Sequence, residues 1–346
     1  MKKQTSAILG RAHLRSVVLA LLLLGLIGAA PFLARSHGQS DSGTVLTGQV
    51  GAIGVVTSSK NPLQIALLHW YNANLTTQFT AGTSPYGVAF DGANIWVALN
   101  GSGKVTKLRA NDGFNLGSFS VGTNPTGVAF DGANIWVANI NSNHVTKLQA
   151  SNGTVLGTFA VGTQPVGIAF DGTNIWVTNN GSGNVTKLQA SNGMVLGTFT
   201  VGTFPAAVAF DGTNIWVANN GSANVTKLST SGTTLGTFAV RTQPGGIAFD
   251  GTNIWVANFG SNNVTKLATS GTVLGTFSAG SGPSGIAFDG ANIWVTDFNS
   301  TTVTKLLATT GATVATFTVG SEPVAVAFDG ANIWVSNFSG TTVSKL

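Results

Sequence analysis

Seven tryptophans recur along this chain of 346 residues at intervals of 39 or 40: Trp96, Trp136, Trp176, Trp216, Trp255, Trp294 and Trp334. Self-similarity at about 40 residues, with several strand-like runs per unit, is the mark of propeller blades rather than of helical arrays. Each unit reads approximately PxGVAFDGxNIWVANxGSxNVTKLxASxGTVLGTFxVGT. The repeats therefore predict an all-β chain built as a seven-bladed β-propeller of four-stranded antiparallel blades.

Four strand signals separated by turn residues make up one unit. In the second unit GVAF ends at Asp131-Gly132, a dipeptide suited to the positive φ of a tight hairpin turn. NIWVAN follows from Asn134, then a polar loop, then VTKL from Val145, and finally TVLGTFAVG after Ser151-Asn152-Gly153. The runs are nearly continuous in apolar residues, as in sheets covered on both faces. Small Gly and Ala in GVAF place that strand beside the central channel, where converging blades leave least room. The chain supports this reading with 46 Gly, 8% charged residues and no Cys, so neither disulfides nor a lipid-modified cysteine is available.

The seventh unit stops at Leu346, after its third strand. An unpaired edge there is a liability that closure would remove. Residues 75–83, LTTQFTAGT, match TVLGTFAVGT and precede the first full unit, so 75–81 are predicted to supply the missing strand and close the ring. Gln64 to Tyr71, QIALLHWY, reads as a further strand without an assigned place. The predicted organisation is thus 1–35 as a targeting segment, 36–64 as linker or added strand, and 65–346 as the propeller.

Residues 16–34 carry no charge and follow Lys2, Lys3, Arg11 and Arg15, with Arg35 directly after. The length lies between a signal h-region and a spanning helix, so an export signal and an N-terminal transmembrane anchor are both open, the balance favouring an uncleaved anchor. Basic residues ahead of the run predict an N-terminus in the cytoplasm and a propeller outside it, anchored or secreted. The formal charge of +5 has the same origin: beyond Arg35 there are eleven basic and eleven acidic residues. A neutral domain without a basic stripe predicts no nucleic-acid partner and membrane contact through the N-terminal segment only. The chain is expected to be a monomer.

Pro165 to Gly202, PVGIAFDGTNIWVTNNGSGNVTKLQASNGMVLGTFTVG, resembles the extracytoplasmic YVTN-repeat propellers, with Trp176-Val177-Thr178-Asn179 in place of Tyr-Val-Thr-Asn. It is also similar to repeats of streptogramin B lyase-like propellers. The resemblance covers roughly 75–346 and implies the fold; the shared residues are turn and core positions, and one fold hosts many activities. For a lyase-like enzyme it implies histidines, an acidic residue and magnesium. The four histidines are His13, His37, His69 and His144, of which only His144 lies in a repeat, and Glu322 is the sole Glu. These supply no convergent proton carriers or ligands, so no catalytic residue, no metal and no cofactor are predicted, with His144 expected as a solvated loop residue.

Asp91, Asp131, Asp171, Asp211, Asp250, Asp289 and Asp329 occupy one repeat position, where an Asp-Gly turn needs only local hydrogen bonding. Lys107, Lys147, Lys187, Lys227, Lys266, Lys305 and Lys345 recur in VTKL, suggesting repeated Lys–Asp pairs. Each Trp stands between Ile and Val and is expected in the core. Gly-rich stretches lack a following helix and do not read as phosphate loops.

What distinguishes the units lies in two loops predicted to share one rim. Around the proline stand Tyr86, Asn124, Gln164, Phe204, Gln243 and Glu322, with Arg241 nearby. Between the second and third strands stand Asn100, Ile140, Asn180, Asn220, Phe259, Phe298 and Phe338. The other rim carries near-identical turns. A surface that recognises something asymmetric cannot repeat, and loops on a rigid frame carry function. The expectation is an extracytoplasmic scaffold that binds a protein or small ligand on the variable rim, His144 included among its candidates; the alternatives are a streptogramin lyase-like enzyme and a structural envelope or surface protein.

Overall fold

A computed structural model describes residues 77–346, which form seven four-stranded antiparallel sheets. Blade 1 shows the pattern: Pro85–Phe90, Asn94–Leu99, Lys104–Arg109 and Asn115–Ser120 pair in chain order. Blades 2 to 6 repeat it. Among the described residues there is no α-helix, and one 3-10 turn spans Phe259–Ser261. The segments 1–35 and 36–64, and the run Gln64 to Tyr71, lie outside the described residues.

The seventh blade combines Pro323–Phe328, Ile333–Asn337 and Thr342–Lys345 with Thr77–Thr80 from the start of the ring. Its register is antiparallel, with Phe79 opposite Val343. The sequence expectation for 75–81 is met over those four described residues.

Inner strands line the axis, and their small residues follow from that. A Cβ on Gly87 would run into the Thr126 carbonyl of the next blade, and one on Gly127 into that of Val166. The second strands are wholly buried, as in Ile95 to Leu99. The fourth strands are not: Val195–Thr200 alternates between exposed and half-buried positions. Burial on both faces thus describes the middle strands, while the outermost ones face solvent.

Each tryptophan is a joint between blades. Trp96 is fully buried and packs with Ile135, Leu148 and Ala150 of the following blade. A Phe from the fourth strand of its own blade leans on the indole, with ring centroids 5.1 to 5.7 Å apart around the ring. Blade 7 uses Phe79 for this purpose, at 5.5 Å from Trp334. The same Phe rings require glycine in the next blade's turn, since a Cβ on Gly113 or Gly153, both at positive φ, would enter the ring of Phe79 or Phe119.

The polar atoms of the joint are satisfied locally. Indole Nε1 donates to the Oδ2 of the Asp five residues earlier at 2.7 to 2.8 Å in all seven blades. The other carboxylate oxygen accepts two backbone N–H groups of the turn, at 2.9 and 2.6 Å in blade 2. The Lys residues do not pair with these carboxylates, contrary to expectation. Each ammonium lies over the Trp ring, 4.8 to 5.3 Å from its centroid. Lys107 Nζ then donates to the Ala150 carbonyl of the next blade at 2.7 Å, and Lys345 closes the circle by donating to Ala110 at 2.8 Å. The reason is geometric: the indole stands between the two charges, its N–H toward the acid and its π face toward the base. A charge-assisted hydrogen bond contributes about 1.5–3 kcal/mol and a cation over an indole about 0.5–2 kcal/mol, so this arrangement outweighs an exposed ion pair. The one salt bridge among the described residues is Arg109–Asp112, exposed at a turn.

Two outcomes follow for stability. Phe79→Ala should cost about as much as Phe199→Ala, roughly 2–3 kcal/mol for a part-buried Phe, in chemical denaturation; a Phe79→Ala variant as stable as the parent would mean that the first strand does not complete blade 7. The second concerns acid. Burial pulls the carboxyls of Asp131, Asp171, Asp250, Asp289 and Asp329 upward, but the indole and backbone hydrogen bonds outweigh it and hold them below their ordinary value. Their contribution is therefore present above the unfolded carboxyl value and lost as pH falls through the folded ones. Thermal midpoints should be flat down to about pH 5 and drop below about pH 4; a midpoint that holds constant in that acid range would refute the assignment.

Candidate functional site

The loop before each first strand and the loop between second and third strands meet on one rim, because those strands are antiparallel and Pro85 stands opposite Leu99. The residue directly before each proline adopts the left-handed conformation: Ser84, Asn124, Gln164, Phe204, Gln243 and Glu322 have φ of 50 to 54°, and Gly282 has 64°. That conformation costs a residue with a side chain about 1–2 kcal/mol. Its return is a hydrogen bond: each of these carbonyls accepts the N–H that opens the second loop, from Asn100 to Ser84 through Phe338 to Glu322, at 2.9 to 3.1 Å. The variable rim is thus braced blade by blade. Asp-Gly and Ser-x-Gly turns occupy the other end.

Where the channel opens on this rim lies a cavity of about 630 Å³. Its walls are the inner strands, with Val88, Val128, Ile168 and Ile286 among them, and its mouth carries Tyr86, Asn220, Gln243, Phe259, Phe298 and Phe338. No charged side chain lines it among the described residues. The aromatics form one arc across blades 5, 6, 7 and 1. Ring centroids run 6.0 Å from Phe259 to Phe298, 6.3 Å from Phe298 to Phe338 and 5.8 Å from Phe338 to Tyr86, the last pair edge to face. Tyr86 is half-buried in this mouth, and burial raises its phenol above the ordinary value. Beside the arc, Asn220 and Gln243 bring amides to the mouth. Asn100, Asn180 and Asn220 donate to the carbonyls of Pro125, Pro205 and Pro244 in the following blades at 3.3 to 3.4 Å, a bond that Phe cannot make.

Six candidates thus converge on the cavity: Tyr86, Asn220, Gln243, Phe259, Phe298 and Phe338. Others stand apart from it. Ile140 and Gln164 line a shallow groove between blades 2 and 3. Asn124 bonds across to Asn100 and Asn141. Phe204, 55% exposed, and Arg241 project from the rim, and Glu322 is half-buried beside Pro323. His144 is not a loop residue; it opens the strand His144–Gln149, half-buried, with Nδ1 3.1 Å from the Asn139 amide nitrogen. The strand pairing that places it opposite Asn139 also removes it from the channel. Desolvation lowers its pKa.

Sequence reasoning passed over Asp297. Five blades end the second strand in a buried Asn: Asn139, Asn179, Asn219, Asn258 and Asn337. Each amide donates to a Thr or Ser hydroxyl on the third strand, as Asn179 does to Thr186 at 2.8 Å. Blade 1 has Leu99 there, and blade 6 has fully buried Asp297, directly before Phe298. With no amide to donate, the pattern inverts. Asp297 Oδ2 accepts from Thr302 at 2.9 Å and Thr304 at 2.8 Å, and Oδ1 from the Gly280 N–H at 2.9 Å. Burial raises its pKa, with those donors opposing. The available signal was WVTD at 294–297 against WVAN or WVTN elsewhere.

Fold and mouth together define the class: a seven-bladed β-propeller with a neutral, half-aromatic cavity on one rim. Solved structures of similar fold include a streptogramin B lyase, at 18% identity and a TM-score of 0.69, covering 78% of this chain and 96% of that one. The hydrazine synthase of Kuenenia stuttgartiensis gives 19% and 0.70, covering 77% and 96%. The virginiamycin B lyase of Staphylococcus aureus gives 17% and 0.68, covering 78% and 98%. The streptogramin B lyase-like resemblance of the repeats thus holds at the level of the fold. No family description matches the sequence, and no curated protein does.

Asp297→Asn restores the pattern of five sister blades. A carboxyl raised in the fold binds more protons there than in the unfolded chain, so its presence weakens the fold as pH rises through that range. The variant should melt higher than the parent at neutral pH and lose that advantage in acid; an unchanged difference across pH would show that the carboxyl carries no such penalty.

Proposed function

We propose that this chain is an exported propeller, held at the membrane by residues 16–34, which binds an uncharged ligand with an apolar or aromatic face at the mouth of its central channel. The observation that carries the reading is the arc of Phe259, Phe298, Phe338 and Tyr86. Four adjacent blades bring an aromatic to the mouth, and Asn220 and Gln243 bring amides beside them. Aromatic faces supply apolar contact at fixed geometry, and a few polar groups beside them set orientation, which is the usual make-up of a small-molecule site. A charged ligand would be desolvated there without a countercharge, which is unfavourable. The braced loops suit this role, since a mouth held in place before binding loses little entropy on closing around a guest.

The tethered, extracytoplasmic setting rests on the uncharged run and its basic flank.

An uncharged solvatochromic dye such as Nile red tests the mouth. Saturable binding is expected, and Phe298→Ala should weaken it about tenfold, the equivalent of about 1.4 kcal/mol for part of a buried ring. Phe204→Ala, outside the arc, should leave it unchanged. Equal affinities for Phe298→Ala and the parent would reject the site.

A further inference from the structure

The fourth strand is the outermost of each blade, and its second residue is aliphatic in six consecutive blades: Leu116, Leu156, Leu196, Leu235, Leu274 and Val314. All six are 42 to 53% exposed. No further strand lies beyond the fourth, so about half of each apolar side chain stands in solvent. Single exposed leucines are unremarkable, but the same exposed position filled six times around a perimeter forms a belt. A compact protein partner would touch two or three of its members. A flat surface meets all of them together.

These residues stand at the start of the fourth strand, hence at the Asp-Gly rim, opposite the aromatic mouth. Among the described residues the charges toward that rim are eight acidic and eight basic: the seven Asp, the seven Lys, Asp112 and Arg109. They are engaged within the protein. The Asp carboxylates hold indole N–H groups, the Lys ammoniums lie on the indoles, and Arg109 pairs with Asp112. Bringing this face against an apolar medium therefore strands few free charges. A third observation concerns where the chain joins the ring. Thr77 is the first residue of the closing strand, which runs in the same direction as the other fourth strands, so the chain arrives at the Asp-Gly rim. The uncharged run 16–34 precedes it by 42 residues.

We propose that the Asp-Gly rim rests on a lipid surface through this belt, leaving the aromatic mouth facing away from the membrane. The occupant is the bilayer that holds residues 16–34, and the tether serves to keep the belt at high local concentration. The attraction is apolar, because the rim has no net charge to recruit anionic headgroups; contact should be insensitive to salt and present on zwitterionic lipid.

The chain has no cysteine, so single labels can be placed cleanly. The full chain carrying Leu156→Cys, Leu274→Cys or Phe204→Cys, each labelled with bimane, would be reconstituted in phosphatidylcholine vesicles containing brominated acyl chains. Labels at 156 and 274 should be quenched by the bromolipid, at low and high salt alike, while the label at 204 stays bright. In a Leu116→Ser, Leu235→Ser, Leu274→Ser background, quenching at Leu156→Cys should be lost although the chain stays on the vesicles, which separates docking from tethering. No quenching at the belt, equal quenching at 204, or quenching that vanishes as the protein is diluted within the vesicles would overturn the proposal, the last outcome indicating contact between two copies. Release of the chain by cleavage near residue 35 would overturn it through the tether. Loss of Nile red binding by the Phe298→Ala variant bears only on the other rim.

Discussion

A buried indole carrying an acid on its edge and a base on its face is the joint on which the ring depends. Trp136 shows the economy of the arrangement: its N–H meets Asp131, its π face meets Lys147, and its carbon framework enters the core of the next blade. Burying so large an aromatic is favourable only if its N–H finds an acceptor. The Asp131 carboxylate in turn tolerates the half-buried turn because four N–H groups donate to it: the indole, two backbone amides and the Asn134 side chain. Lys147 then ties the joint to blade 3 by donating to Ala190 at 2.7 Å. The Trp, Lys and Phe of the repeat each reach into the blade that follows, and none of the blades is complete alone. A ring is the arrangement in which every joint finds its neighbour, which explains why the chain sends Phe79 back to Trp334 and Lys345 forward to Ala110.

Sevenfold repetition restricts where anything specific can happen. The Asp-Gly turns hold the indoles and cannot vary without loosening a joint. The proline rim is held by backbone hydrogen bonds, which any residue can supply, and by side-chain bonds that only some blades make. Side chains there are free to differ, and they differ in an ordered way: Asn, Ile, Asn and Asn in blades 1 to 4, then Phe in blades 5 to 7. The asymmetry of the mouth is thus written on a symmetric support.

The fold was legible because its determinants are local and repeated: Trp spacing gave the blade count, Gly and Ala in GVAF gave the inner strand, and residues 75–83 betrayed the closing strand by likeness to their sisters. The Lys–Asp pairing was misread because sequence supplies opposite charges in register without revealing the indole between them. Convergence of Tyr86 with Phe338 was equally hidden, since more than two hundred residues separate them and ring closure alone makes them neighbours. His144 looked like a loop residue because Asn143-His144 follows polar turn residues, whereas pairing with Asn139 draws it into a strand. Asp297 differs from its counterparts by one atom group, and only its burial shows that the hydrogen-bond direction must reverse.

Replacing Asn by Phe in blades 5 to 7 removes amides of the kind that, in three of the first four blades, hold the next blade's proline carbonyl. Blade-to-blade stability alone would favour the amide, since a hydrogen bond to a part-buried carbonyl contributes about 0.5–1.5 kcal/mol. Three adjacent departures from the stabilising residue, each adding a ring to one continuous arc, are hard to reconcile with a surface that serves only to cap the blades. The αL residues point the same way: six side chains are held in a conformation that glycine would adopt more easily, and the bond gained there uses backbone atoms only. The rim holds these six side chains at a backbone cost, and of them Gln243 joins the Phe arc at the opening of the channel.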